Sequence, residues 1–203
     1  MSKNINNTLE NFEDLDGQPD LGNLVFFDTE TVGLRPNYIV SIAYIVYRDG
    51  KQVKGGYLIC NPDYPIGEQA SKVNGFTNES VKDKPLFPEI WSEIRPYFEG
   101  SIWVGHNVKF DESAITLECR RYGIPIPKHW TICTCDNAKK LIPKSVVGNY
   151  KLNTLCDYFG IEFHNHHTAS FDTVACRKVF NKLVDLSDGN LIIKDEVLSI
   201  THP

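Results

Sequence analysis

An apolar run that ends in two acidic residues is the feature that most constrains the fold of this chain. Residues 24–27 are Leu, Val, Phe and Phe, and Asp28 and Glu30 follow them at alternate positions. Because residues two apart in an extended segment face the same side, both carboxylates would project together from the end of a strand. A divalent cation would neutralise two negative charges so close together. The alternative is a turn in which Asp28 is a cap, Glu30 is solvated and Gly33 reverses the chain.

The rest of the chain predicts an α/β fold. Extended segments come first, and the turn-forming residues 48–51 join the second to the third, so we expect a meander of antiparallel strands at residues 24–28, 39–47 and 52–60. Short strands then alternate with helices, and the strands are expected at residues 101–104 and 131–133. Apolar spacing and glycine or proline stops predict helices at residues 88–99, 107–122, 136–141, 152–159 and 169–186. This order indicates a mixed central β-sheet, three antiparallel strands and then parallel ones, flanked by helices.

Two of these helices have a predicted buried stripe. In the first, Ile90, Trp91, Ile94 and Phe98 recur at helical spacing. In the second, we expect a shared stripe of Phe110, Ala114, Leu117 and Arg121.

Length and composition indicate one globular domain. A chain of 203 residues shows no composition break that would separate a second core. Residues 1–21 are acidic and rich in Asn, so we predict a flexible tail there, a folded domain at 22–188 and a C-terminal extension at 189–203. No apolar run approaches the roughly 20 residues that cross a bilayer, and the acidic start is unlike a signal peptide. We therefore expect a cytoplasmic protein that does not enter membranes.

The cysteines and the charge distribution leave two questions open. Six cysteines without tight spacing indicate reduced thiols, although Cys133 and Cys135 are also spaced as half of a structural zinc site. A net charge of −5 argues against a nucleic-acid partner. Residues 120–151, however, contain seven basic side chains against Asp136 alone, which indicates either a basic face or an ordinary solvated surface.

Two further carboxylates and a histidine are candidates for the same site. Asp111 falls in the first turn of a helix that follows a short strand, where it can meet the acids of the first strand or simply complement the helix dipole. Asp172 falls early in the last long helix, and His167 precedes it in a loop. Histidine titrates near neutral pH and suits proton abstraction from water. His164 and His166 beside it indicate either a polar loop or a separate transition-metal site.

Three motifs in this order resemble those of the DEDDh 3′→5′ exonuclease family, typified by the proofreading subunit of bacterial replicative polymerases. They are Phe27-Asp28-x-Glu30-Thr31, His106-Asn107-x-x-Phe110-Asp111 and His167-x-Ala169-x-x-Asp172. The resemblance spans about residues 22–186. A sister subclass has Tyr where this chain has Thr168. Many members have Asp-Thr where this chain has Cys133-Thr134, but that Asp is not catalytic in the family.

The resemblance implies a ribonuclease H-like fold and a two-metal site. Asp28, Glu30 and Asp172 would hold one Mg²⁺ or Mn²⁺ ion, and Asp28 with Asp111, directly or through water, would hold the second. His167 would take the proton of the attacking water. The product would be a nucleoside 5′-monophosphate.

The resemblance also implies substrate contacts. Thr31 and Leu34 would contact the terminal sugar and base, and Asn107 is a further contact; the alternatives for Thr31 and Leu34 are turn capping and core packing. The expected substrate is single-stranded DNA or the 3′ end of a duplex, with DNA favoured over RNA. A polymerase or another nucleic-acid-processing protein is a candidate partner. An exoribonuclease, a non-catalytic nucleic-acid-binding adaptor of the same fold and a structural zinc protein are the alternative functions.

Overall fold

The structure, a computed structural model, describes residues 22–163 and 169–195, the last two by their backbone only. Within them a six-stranded sheet has the order β3-β2-β1-β4-β5-β6. The strands are β1 (Asn23–Thr31), β2 (Ile39–Arg48), β3 (Lys51–Ile59), β4 (Ser101–Gly105), β5 (His129–Cys133) and β6 (Lys194–Asp195). The first three form an antiparallel meander, β4 and β5 run parallel to β1, and β6 is antiparallel to β5. The predicted α/β fold with a mixed sheet is confirmed.

Helices cover both faces of the sheet. They are α1 (Glu68–Asn74), α2 (Asn78–Val81), α3 (Phe87–Phe98), α4 (Lys109–Arg121), α5 (Thr134–Leu141), α6 (Lys144–Val147), α7 (Leu152–Phe159) and α8 (Ala169–Leu186). The two predicted helices nearest the C-terminus have the expected bounds. No helix among these residues is long and apolar enough to span a membrane.

β1 is buried on both faces, which explains its continuous apolar run. Val25 and Phe27 face a core shared with α3 and α4, where the Phe27 ring packs edge-to-face on Phe98 at 5.5 Å. Leu24 and Phe26 face the opposite core, which includes residues of α7 and α8. A strand between two helical layers must be apolar at successive positions rather than at alternate ones. After Asn23 at its start, polar residues in β1 therefore begin only at Asp28.

The predicted stripe of α3 is confirmed, because all four of its residues are buried. The predicted stripe of α4 is confirmed only for Ala114, because Phe110, Leu117 and Arg121 are only half-buried. Besides Ala114 the helix buries Asp111, Glu112, Ile115, Thr116, Glu118 and Cys119. Acidic residues can lie on this face because each has a partner. The Ile39 N–H donates to Glu118 Oε1 at 3.0 Å, and His129 Nε2 lies 3.1 Å from Glu112 Oε1.

The six cysteines are all free thiols, as predicted, and Cys133 is buried at the end of β5. Among the described residues, no cysteine belongs to a group that can hold a metal ion. Beyond the predicted boundary at residue 188, Leu191 and Ile193 pack into the core next to α8, and the Asn137 side chain bonds both backbone groups of Ile192. The predicted N-terminal tail lies outside the described residues, and the domain bounds stay a prediction.

Glu118 makes the stability of the fold depend on pH. Burial raises the pKa of its carboxyl from 4.5 to about 7, although the Ile39 N–H lowers it. The folded state therefore binds more protons than the unfolded state between those pH values, so this group's contribution to stability falls as pH rises from 4.5 to 7. We expect Glu118→Gln to remove this dependence. The difference in unfolding free energy between the unsubstituted protein and the variant should change by about 2 to 3 kcal/mol between pH 5 and pH 8.

Urea unfolding at a series of pH values measures this difference directly. Glu79→Gln is the matched control, because Glu79 is exposed on α2. A Glu118→Gln profile parallel to that of the unsubstituted protein would show that the carboxyl is ionised throughout the range.

Candidate active site

The candidate site lies where β1 extends past β4. The two strands pair in parallel from Leu24 to Phe26, and β4 ends at Gly105, one residue after the partner of Phe26. β1 continues to Thr31. On its other side β1 pairs with β2, which runs antiparallel to it. The carboxyl end of β1 is therefore next to the carboxyl end of β4 but next to the amino end of β2. Ligands of open α/β sheets bind in such a crevice, at the carboxyl ends of the strands.

Three of the predicted acids converge in this crevice. Asp28, Glu30 and Asp172 each place a carboxylate oxygen within 4.8 Å of the others, and we call these three residues the carboxylate cluster. Asp28 and Glu30 continue the face of β1 that packs on α8, and Asp172 comes from the first turn of α8. β1 remains a strand through both acids, so the alternative in which they belong to a turn is wrong.

The fourth acid, Asp111, lies beside the cluster and is held by Thr29. The Thr29 N–H donates to Asp111 Oδ1 at 2.9 Å, and the Thr29 hydroxyl donates to the same oxygen at 2.7 Å. Because β4 has ended, the Asp111 carboxylate takes the place of a strand neighbour along this part of β1. Thr29 faces α4 while its two neighbours face α8, which explains how one strand positions acids from both layers.

The acids repel one another and are shielded from water. Burial, and then Asp111, Asp172 and Glu30, raise the pKa of Asp28 well above its ordinary value. Burial and Asp172 raise the pKa of Glu30 to about 8, although a hydrogen bond from Asn74 lowers it. Burial raises the pKa of Asp111 to about 7 despite the two bonds from Thr29.

Three of the site acids have no basic partner among the described residues. Within residues 22–163 and 169–195, no lysine or arginine forms an ion pair with Asp28, Glu30 or Asp111. A hard divalent cation is the ligand that oxygen donors of this kind prefer. The carboxylate cluster therefore fits a divalent metal ion.

His106 is a structural residue of the site and not a free base. Its Nε2–H donates to the Tyr150 carbonyl at 2.9 Å, so Nδ1 is the acceptor for the Thr134 hydroxyl, also at 2.9 Å. Burial lowers the pKa of His106 to about 4, which keeps the ring neutral. The predicted base, His167, lies outside the described residues, as do His164 and His166.

The three predicted substrate contacts differ in exposure. Leu34 is 79% exposed just beyond β1, so it does not belong to the core. Thr31 is buried and its hydroxyl donates to the Gly33 carbonyl at 2.8 Å, which is the predicted turn cap. Asn107 is exposed and has a left-handed backbone with φ of 64°. Their roles toward a substrate stay predictions.

A groove with a volume of about 890 Å³ leads away from the acids. Its lining includes Asp28 and Asp172, and on the opposite elements three lysines, namely Lys139, Lys144 and Lys151. Thr29, Asn74 and these lysines were not predicted as residues of the site. For Thr29 the missing information is the register between β1 and β4. For the lysines a signal existed, because all three belong to the basic run at residues 120–151.

Fold and site together define a class of protein. Four carboxylates meet at the end of the central strand of a mixed sheet, as in α/β nucleases of the ribonuclease H-like fold. Residues 25–180 match the family model described as Exonuclease, and the chain belongs to this family. The assignment to the DEDDh 3′→5′ exonucleases, made from three motifs, is confirmed.

Relatives of known identity are similar over most of this chain. DNA polymerase III PolC-type from Caldanaerobacter subterraneus subsp. tengcongensis is 30% identical over 166 residues, which are 81% of this chain and 12% of that protein. The PolC-type polymerase of Lactococcus lactis subsp. lactis is 32% identical over 170 residues, or 82% of this chain and 10% of that protein. This chain thus spans about a tenth of the length of these curated relatives.

Solved structures agree with the family. Exonuclease X in complex with 5′ overhanging duplex DNA has a TM-score of 0.66 and 28% identity, covering 81% of this chain and 93% of that one. The nuclease domain of 3′hExo, a DEDDh family member bound to rAMP, has a TM-score of 0.68. It is 14% identical and covers 86% of this chain and 96% of that domain, so it supports the fold alone.

Metal affinity should rise with pH. A metal ion must displace protons from Glu30 and Asp111, whose pKa values are raised to about 8 and about 7. We expect Mn²⁺ to raise the thermal midpoint, with an apparent affinity that increases about tenfold per pH unit between pH 6 and pH 7 for each proton displaced. Midpoints measured against Mn²⁺ concentration at each pH test this. Glu30→Gln should lose most of the stabilisation, and an affinity independent of pH would contradict the expectation.

Thr29 should matter through Asp111. Thr29→Val keeps the shape of the side chain but removes the hydroxyl donor, which raises the pKa of Asp111 and frees its carboxylate to move. We expect apparent Mn²⁺ affinity at pH 7 to fall roughly tenfold, which corresponds to about 1.4 kcal/mol. Thr29→Ser retains the donor and should remain within about twofold of the unsubstituted protein. Equal affinities for the Val and Ser variants would show that the hydroxyl is dispensable.

Proposed function

We propose that this chain is a metal-dependent 3′→5′ exonuclease that releases nucleoside 5′-monophosphates from the 3′ ends of DNA. The observation that carries this proposal is the convergence of Asp28, Glu30 and Asp172 within 4.8 Å of one another, with Asp111 beside them. Exonuclease X, 28% identical, was solved with duplex DNA, which supports DNA as the substrate. Single-stranded DNA and the 3′ ends of duplexes are both proposed substrates.

The four site acids would act as ligands of two metal ions. Asp28, Glu30 and Asp172 would hold one Mg²⁺ or Mn²⁺, and Asp28 with Asp111, directly or through water, would hold the other. When bound, such ions supply Lewis-acid stabilisation of the charge that develops on the scissile phosphate. Thr29 fixes the Asp111 carboxylate through two hydrogen bonds, so this ligand is oriented before a substrate arrives.

A histidine would remove the proton from the attacking water. His106 is unsuitable, because both ring nitrogens are engaged by Tyr150 and Thr134. His129 is buried, with its ring stacked on Trp103 and its nitrogens beside Pro127 and Glu112. We therefore assign the removal of this proton to His167, which lies two residues before the start of α8 in the sequence. Terminal-nucleotide contacts are assigned to Thr31, Leu34 and Asn107.

The charge balance is compatible with a polyanionic substrate. Without the four site acids, 22 acidic residues face 21 basic ones, so the remainder of the chain is nearly neutral. Two divalent ions would then offset the four negative charges of the site acids. The similarity to PolC-type polymerases supports a polymerase as a proposed partner. Six free cysteines agree with a proposed cytoplasmic location.

The decisive experiment is degradation of a 5′-labelled oligonucleotide. With Mg²⁺ or Mn²⁺ the protein should shorten single-stranded DNA from its 3′ end and release nucleoside 5′-monophosphates. Asp28→Asn removes a ligand with little change in shape and should slow the reaction by about 10³-fold, because several kcal/mol of charge stabilisation are lost. Asp83→Asn is the control, since Asp83 is exposed and distant in sequence from every motif.

Matched DNA and RNA oligonucleotides, each single- and double-stranded, separate the remaining alternatives. Faster degradation of RNA would make the chain an exoribonuclease. Binding of either polymer without metal-dependent cleavage would make it a non-catalytic adaptor and would overturn the proposal.

A further inference from the structure

A set of lysines borders the groove that contains the acids. Lys139 lies on α5, Lys144 begins α6 and Lys151 is the N-cap of α7, and all three line the groove. We call these three residues the basic wall. The acids of the same groove, Asp28 and Asp172, come from β1 and α8. Opposite charges in this groove are thus contributed by different elements of the fold.

Two lysines of the basic wall have no ion-pair partner among the residues that the structure describes. Lys139 pairs with Asp136 at 3.0 Å. For Lys144 and Lys151 no carboxylate within the described ranges lies at ion-pair distance, and neither α6 nor α7 has an acidic residue in its first turn.

Lysines on another part of the surface are neutralised locally. Lys72 pairs with Glu68, and Lys82 pairs with Glu79, in each case one helical turn away. Positive charge therefore remains available beside the groove, whereas these surface lysines are paired.

We infer that the basic wall binds the phosphates of the substrate strand on the 5′ side of the scissile bond. This inference rests on the proposed function. Of the three proposed contacts of the terminal nucleotide, Asn107 lines the groove, whereas Thr31 and Leu34 do not. The groove therefore extends beyond the proposed position of the terminal nucleotide and is available for the remainder of the strand. Lysine contacts to phosphates position a strand without reading its bases. The basic wall should therefore bind strands of different sequence with similar affinity.

Only part of the basic run at residues 120–151 lies along the groove. Arg121 donates to the Pro62 carbonyl at 2.6 Å and lies over the Tyr38 ring at 4.4 Å, so it ties α4 to a loop. Within the run, the groove lining contains Lys139, Lys144 and Lys151. Because Lys139 already has a partner, Lys144 and Lys151 are expected to contribute most.

The test compares a long substrate with one that lacks upstream phosphates. The double variant Lys144→Ala/Lys151→Ala is assayed on a single-stranded decanucleotide and on thymidine 5′-(p-nitrophenyl phosphate), which has one nucleotide only. We expect the ratio of the kcat/KM value for the decanucleotide to that for the ester to fall about three- to tenfold. The fall should come from a higher KM for the decanucleotide. The slope of log kcat/KM against log salt concentration should become shallower by about 0.7 for each lysine removed.

Two control variants isolate the phosphate contact. Lys54→Ala/Lys84→Ala removes the same charge from exposed positions outside the groove and should leave the ratio unchanged. Lys144→Arg/Lys151→Arg keeps the charge and should restore most of the ratio. If the alanine variant in the basic wall shows the unsubstituted ratio, the inference is overturned.

Binding gives a readout that does not depend on turnover. Fluorescence anisotropy of a labelled decanucleotide is measured with Asp28→Asn protein, with and without the two alanine substitutions. We expect a similar three- to tenfold loss of affinity, and equal affinities overturn the inference. Failure of the unsubstituted protein to cleave either substrate would overturn the proposed function instead, and the anisotropy result would still decide the role of the lysines.

Discussion

The site depends on the unequal lengths of β1 and β4. Because β4 ends at Gly105, the edge of β1 beyond Phe26 has backbone groups that no strand satisfies. Asp111 satisfies one of them by accepting the Thr29 N–H. An unpaired buried N–H is costly, so this bond contributes to folding as well as to the placement of an acid. The same strand end also presents Asp28 and Glu30 to Asp172 of α8. The end of β1 therefore contacts acids from the helices on both faces of the sheet.

This arrangement brings several carboxylates together at a place where burial reduces the solvation of their charges. Burial and mutual repulsion raise the pKa values of Asp28, Glu30 and Asp111, which means that the folded chain without a metal ion holds these groups at a cost. The apolar contacts of β1 on both faces supply the opposing stabilisation, since Phe26 and Phe27 belong to different cores. A metal ion that binds only the folded state would convert this repulsion into added stability.

The sequence predicted those parts of the site that local periodicity determines. Alternation along β1 was sufficient to place Asp28 and Glu30 on one side, and helix signals placed Asp111 and Asp172 in first turns. The role of Thr29 depends on the register of β1 and β4, whose paired residues are 78 positions apart in the sequence, and no local pattern encodes that register. The stripe of α4 was mispredicted because a pattern of apolar residues ignores buried acids such as Glu118, whose partner Ile39 lies on another element. The short elements α6 and β6 were missed, since four and two residues carry too little periodicity.

Net charge is a poor guide to the partners of this protein, because its charges are separated by the fold. At physiological ionic strength interactions between exposed charges are screened beyond about 8 Å. Among the described residues, the charges that a strand bound in the groove would meet are those of its lining, namely Lys139, Lys144 and Lys151 of the basic wall and the acids Asp28 and Asp172. Two divalent ions would offset the four acids of the site, since each ion carries two positive charges. With those acids offset, the lysines of the basic wall would be the net charge that a phosphate backbone meets, which would couple binding of the proposed polymer to readiness for its hydrolysis.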